Sequence, residues 1–218
     1  MNRTRFQLTV AALAASVLLT LPACTNLKSS RSVDNSDVKG KVLAVQVCSA
    51  CHGVTGGSGS PMFPKLSGQQ KEYLMAQLTD FKGHERKDSK GTQYMWGYAD
   101  LTRQQVEEIT DYFSSQQPMH ANAAGVSPAV LARGQVIFTQ GIPEKNVVSC
   151  ATCHGATGEG NGAIPRLAGQ HAHYVLEQIK IFQTTQQRPR GAPMQAITHD
   201  MPDADSEAVA AFVASMGS

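Results

Sequence analysis

Cys48-Ser49-Ala50-Cys51-His52 and Cys150-Ala151-Thr152-Cys153-His154 repeat one pentapeptide, Cys-x-x-Cys-His, in two parts of the chain. Two thiols at this spacing can each add across a vinyl group of one porphyrin, and the next residue is an imidazole able to bind the iron. A single copy would also suit a zinc half-site. Two copies in matching surroundings predict two covalently attached haem c groups, held by Cys48, Cys51, Cys150 and Cys153, with His52 and His154 as axial iron ligands.

The N-terminus predicts export, which attachment of haem to such motifs requires in bacteria. Arg3 and Arg5 precede an apolar run from Phe6 to Leu21, and Leu21-Pro22-Ala23 supplies small residues for cleavage, so residues 1–23 read as a signal peptide. The run is short for a membrane span of ~20 apolar residues. Leu-Pro-Ala-Cys resembles the lipobox of bacterial lipoproteins and makes Cys24 a lipidation candidate, the alternative being simple cleavage nearby. Residues 24–36 then form a flexible, Ser-rich tether. The expected location is the periplasm, with membrane contact only through a lipid on Cys24.

Charge excludes one class of partner. The chain has 19 Lys and Arg against 17 Asp and Glu, and loss of Arg3 and Arg5 with the signal balances the two signs. Nucleic-acid binding would demand a concentrated basic face. With four of the five cysteines committed to haem and Cys24 to the signal region, no disulfide framework is expected.

The elements that must position the two motifs are themselves duplicated. Pro64-Lys65-Leu66-Ser67-Gly68-Gln69 returns as Pro165-Arg166-Leu167-Ala168-Gly169-Gln170. Tyr73, Gln77 and Phe81 return as Tyr174, Gln178 and Phe182; Leu101, Ile109 and Tyr112 answer to Met201, Val209 and Phe212. Each half orders its parts as helix, haem motif, Gly-rich loop, helix, long loop, helix. Apolar spacing of three to four predicts helices over 70–81, 102–115, 171–182 and 203–215. Val42, Val45 and Gln46 lead a short helix into Cys48, and Ser127 with Pro128 reads as an N-cap and first helical residue. Nothing alternates as a strand. The fold expected is all-α, with domain 1 at 37–117, a linker at 118–127 and domain 2 at 128–218. Domain 2 also carries an insertion, Gly141 to Ser149.

From Lys39 onward the chain resembles the cytochrome c4 family of dihaem class I cytochromes c. The resemblance rests on the duplicated haem motifs, on Gly-x-Pro-Glu-Lys-x-x-x-x-Cys (Gly141 to Cys150) and on Leu-x-Gly-Gln-His-x-x-Tyr (Leu167 to Tyr174). It implies two tandem class I domains, each wrapped around one haem. It also implies a methionine as second axial ligand in the loop before the last helix, at Met95 and Met194. Met194 stands seven residues before Met201, whereas Met95 stands six before Leu101, a difference that a one-residue deletion would explain. Met201 is the rival in domain 2, but its repeat partner Leu101 favours core packing. Met62, Met75, Met119 and Met216 read as loop, helix-face, linker and terminal residues. The resemblance further implies that the carbonyls of Pro64 and Pro165 accept from the free nitrogens of the two haem histidines. His84, His171, His173 and His199 are expected to be surface residues.

With both irons six-coordinate there is no open position, so no catalytic residue is expected. The implied function is periplasmic electron carriage between a quinol-oxidising complex or dehydrogenase and a terminal oxidase or other acceptor. The alternatives are a cytochrome subunit of a sulfide, thiosulfate or alcohol dehydrogenase complex, and a haem enzyme or gas sensor with one open iron.

Overall fold

Both halves are built from the same helices in the same order, in a computed structural model that describes residues 31–217. The signal segment, Cys24 and the start of the tether lie outside the described residues. In domain 1 the chain forms α1 (Gly40–Leu43), a π-helical turn (Ala44–Cys48) and α2 (Ser49–His52), which carries the first motif. It continues as α3 (Lys71–Lys82), α4 (Ser89–Tyr94) and α5 (Arg103–Ser114). Domain 2 repeats this as α6 (Pro128–Gln140), α7 (Ala151–His154), α8 (Ala172–Thr184), α9 (Ala192–Thr198) and α10 (Asp203–Ser215). Among the described residues the only β pairing is two isolated bridges, Ile142 with Val147 and Asn161 with Ile164. The class is all-α, in two tandem domains, and no described helix is long and apolar enough to cross a membrane.

Helix starts follow local chemistry. Thr102 and Gln105 close a full capping box at α5, each side chain bonding the other's backbone N–H. Ser127 Oγ accepts from Val130 N at 3.3 Å ahead of Pro128 at the first position of α6. Two elements differ from expectation: α4 and α9 fall where long loops were predicted. Six- and seven-residue segments are too short to show a 3.6-residue period and too short to hold alone in water. Tertiary contacts hold α4, whose start is capped by the buried Asp88 carboxylate accepting from Gly91 N at 3.1 Å.

The first and last helices of each domain cross at a glycine. A Cβ on Gly134 would lie 2.6 Å from Phe212 Cβ, and one on Gly40 would lie 2.8 Å from Glu108 Cβ. Both are steric collisions, so only glycine lets the backbones approach this closely. Gly134→Val is therefore expected to destabilise domain 2 by about 1–3 kcal/mol. An unchanged midpoint in urea denaturation would show that α6 and α10 can separate at no cost.

Each domain buries one core. Leu43, Leu74, Leu101, Ile109 and Phe113 form the first; Ile137, Phe138, Val175, Ile179, Met201, Val209 and Val213 form the second. Leu101 and Met201 thus occupy equivalent core positions. The domain 2 insertion closes on itself through the Ile142–Val147 bridge and sends both of those side chains into the core. The linker does not hang free. Met119 is 1% exposed and its backbone lies against Gly169.

Candidate functional site

In a helical turn, residues i, i+3 and i+4 share a face. Both pentapeptides adopt such turns, so their two sulfurs and the imidazole project to the same side. Gly53 (φ 78°) and Gly155 (φ 84°) then end the turns in a backbone region open to glycine. The chain doubles back beneath the histidine in both halves. Ser58 N donates to His52 O at 2.8 Å and Leu66 N to Gly56 O at 2.7 Å; Gly160 N donates to His154 O at 2.7 Å and Leu167 N to Gly158 O at 2.8 Å.

This reversal delivers the proline carbonyls to the imidazoles. His52 Nδ1 lies 2.8 Å from Pro64 O, and His154 Nδ1 lies 2.9 Å from Pro165 O. A carbonyl can only accept, so Nδ1 carries the proton and the Nε2 lone pair is left for a metal. Both imidazoles are 6% exposed. Burial lowers their pKa values, with the hydrogen bond to proline opposing it, so both are neutral at pH 7. Cys48 and Cys150 are unpaired, and burial pushes each thiol up to about 11. They present uncharged sulfur to an apolar wall, as thioethers would. Cys51 and Cys153 are exposed.

One continuous cavity joins the two motifs. It runs from Cys48 and His52 through the seam between domains to Cys150 and His154, with an empty volume near 2530 Å³ including its open mouths. Equivalent apolar residues of the two halves face it: Leu74 and Val175, Ile109 and Val209, Phe113 and Val213. Met95 and Met194, both half-buried, face the same space. So do Met62, which is 43% exposed, and Met201, which is packed into the domain 2 core. Their local settings differ by more than a one-residue deletion. Met95 follows the end of α4, whereas Met194 lies inside α9, where its carbonyl accepts from Thr198 Oγ1 at 2.7 Å.

The remaining histidines lie apart from the two motifs. His84, exposed, stacks on Trp96 at 4.1 Å; His173 and His199 are exposed beside Glu177 and Asp200. His171 differs from the surface expectation, because it is half-buried at the seam with Nε2 2.9 Å from Ser58 O of domain 1.

Sequence reasoning missed the polar groups of the seam. Arg86 is buried and fully engaged: Nε donates to Asp88 Oδ1 at 2.6 Å, Nη1 to Gln77 Oε1 at 2.8 Å and Nη2 to Gln178 Oε1 at 3.4 Å. Arg188 donates to the neutral groups Gln77, Gln178 and Tyr73 and has no carboxylate in ion-pair reach among the described residues. Lys65 Nζ, likewise buried, meets only the carbonyls of His120 and Gly169. The cavity therefore combines apolar walls, two unpaired thiols in each half, two neutral imidazoles with Nε2 available, and two cations, Arg188 and Lys65, that line it without a carboxylate in ion-pair reach among the described residues. That set suits two porphyrins, whose faces are apolar and whose propionates are anionic. The legible signal was the internally repeated glutamines, Gln77 with Gln178 and Gln69 with Gln170. A glutamine on a buried face needs polar partners there.

Comparison with known proteins gives the same duplication. The family model for cytochrome c matches residues 38–117 and again 131–217. A cytochrome c4 of Stutzerimonas stutzeri is 34% identical, over 78% of this chain and 84% of its own. The crystal structure of reduced recombinant cytochrome c4 from Pseudomonas stutzeri superposes with a TM-score of 0.71 at 33% identity, covering 81% of this chain and 96% of that one. A thiosulfate dehydrogenase electron acceptor of Thiomonas intermedia is 34% identical over 77% of both chains.

Proposed function

This chain belongs to the cytochrome c4 family and binds two haems covalently, and on that premise we propose that it is a periplasmic carrier of electrons. It would accept them from a quinol-oxidising complex or a dehydrogenase and deliver them to a terminal oxidase or another acceptor. One observation supports this most strongly. Each half of the cavity offers a histidine tied through Nδ1 to a proline carbonyl and a methionine facing the same space. His52 and Met95 would hold one iron and His154 and Met194 the other, leaving no position for a substrate. When bound, each haem supplies a one-electron ferric–ferrous couple, and a thioether ligand raises its potential.

The protein's own residues set the conditions for transfer. Cys48, Cys51, Cys150 and Cys153 would attach the two haems covalently to a packed scaffold, which would limit rearrangement on electron transfer. With domain 1 taken as 37–117 and domain 2 as 128–218, residues of both line the cavity, and the linker between them is pinned at Met119, which is buried against Gly169. Cys51 and Cys153 are exposed, with Val54 58% and Val148 49% exposed nearby in sequence, so partners would dock over an apolar edge beside each haem motif. The balanced charge predicts that this docking depends weakly on salt.

A second reading is favoured by the Thiomonas intermedia relative: a dedicated electron acceptor of a thiosulfate dehydrogenase. It uses the same residues and differs only in its partner. Absorption spectra of the mature protein, ferric and reduced, with and without carbon monoxide, test both against an open iron. We expect low-spin spectra, a weak far-red sulfur-to-iron band in the ferric form and no change with carbon monoxide. A high-spin component that binds carbon monoxide would overturn the carrier assignment for that domain.

A further inference from the structure

The peptide between Pro64 and Lys65 is gripped from both domains. Its carbonyl oxygen accepts from His52 Nδ1 at 2.8 Å, and its N–H donates to Gln170 Oε1 of domain 2 at 2.9 Å. The duplication repeats the arrangement in reverse. The Pro165–Arg166 peptide accepts from His154 Nδ1 at 2.9 Å and donates to Gln69 Oε1 of domain 1 at 2.6 Å. Each glutamine therefore reaches across the seam to the one peptide that holds the other domain's histidine.

Neither glutamine has freedom to do otherwise. Gln69 is 3% and Gln170 4% exposed. Gln170 Oε1 also accepts from His171 N at 3.0 Å, while Nε2 donates to Lys65 O at 2.9 Å. Gln69 Oε1 also accepts from Gln70 N at 2.9 Å, while Nε2 donates to Arg166 O at 3.0 Å. Turning either amide over would set N–H groups against N–H groups, so the network itself assigns oxygen to the peptide N–H.

We propose that Gln170 and Gln69 are positioning residues acting in trans, each tuning the haem potential of the opposite domain through its histidine. An acceptor on a peptide N–H polarises the amide and enriches its carbonyl oxygen in negative charge. That oxygen then draws more strongly on the Nδ1 proton and makes the imidazole a stronger donor at Nε2. A stronger donor stabilises ferric iron, so each glutamine lowers the potential of the haem it does not belong to. The two potentials thereby depend on the closed seam, and opening it raises both. This rests on His52 and His154 being iron ligands, as proposed above.

The test uses the mature, haem-loaded protein and its Gln170→Leu and Gln69→Leu variants, with potentials assigned to individual haems by their methyl NMR resonances. Gln170→Leu is expected to raise the domain 1 potential by about threefold in equilibrium constant, about 28 mV at 59 mV per tenfold, and to leave domain 2 in place. Gln69→Leu is expected to do the converse. In the reduced protein the His52 Nδ1 proton resonance should move upfield in Gln170→Leu and not in Gln69→Leu. Gln170→Glu keeps an oxygen at the acceptor position and should return that resonance downfield, with a potential at or below the native value. A mere clamp between domains predicts otherwise: equal movement of both potentials, movement in the variant's own domain, or none, and each of these overturns the proposal. Haem content and low-spin absorption of the same samples report separately on the axial ligands.

Discussion

Met194→His is expected to leave two covalent haems in place and to lower the potential of the second alone, by on the order of 0.2 V within the ~0.8 V that axial ligands span. Thioether sulfur is soft and favours ferrous iron, whereas a second imidazole nitrogen stabilises ferric iron. Met194 is placed for the exchange, because its half-buried side chain faces the cavity shared with His154. Met201 faces the same cavity and supplies the control. It lies in the domain 2 core at the position filled by Leu101 in domain 1, so Met201→Leu should fold normally and leave both potentials unchanged. Spectroelectrochemical titration of the two variants decides the matter. An unchanged second potential in Met194→His, or a large shift in Met201→Leu, would reassign the ligand.

What could be seen in the sequence was whatever the duplication wrote twice. The helices over 70–81 and 102–115 appear as Lys71–Lys82 and Arg103–Ser114, because their apolar residues recur at helical spacing. Pro64 and Pro165 stood out as repeat partners, and their carbonyls do reach the two imidazoles. Other features had no local signature. Helices α4 and α9 are held by neighbours rather than by their own period. Arg86 and Arg188 sit in segments that read as polar loops, and an arginine there looks the same whether it faces water or a buried glutamine. The seam was harder still. Its bonds join residues about a hundred apart, and only the fold shows that Gln170 meets Lys65 and Gln69 meets Arg166. The insertion at Gly141–Ser149 has no counterpart in domain 1 to show what it packs against, and its Ile142 and Val147 belong to the core.

Asp88→Asn is expected to destabilise the haem-loaded protein by about 3–5 kcal/mol, the cost of leaving a buried charge without its partner. The Arg86–Asp88 side chains are 8% and 1% exposed, so water cannot take the place of the lost carboxylate. Asparagine still offers an oxygen to Gly91 N, as a good cap does, which separates the loss of charge from the loss of the α4 start. Arg86 would keep Gln77, Gln178 and the face of Phe81, 4.6 Å away, but none of these is an anion. The pH dependence carries the sign. Burial works to raise the Asp88 pKa, yet the Arg86 charge and hydrogen bonds from Arg86 and Gly91 hold it below the ordinary carboxylate value. A depressed folded pKa contributes stability that is present above the unfolded value, about 4, and drains as pH falls through the folded one. Denaturant titrations should therefore show a constant gap between native protein and Asp88→Asn near neutrality, closing below about pH 4. Adding Arg86→Met to the variant should recover most of the loss, since apolar replacement of both partners of a buried pair is close to neutral. A single variant as stable as the native protein at pH 7 would mean that Arg86 finds another anion at the centre of the cavity.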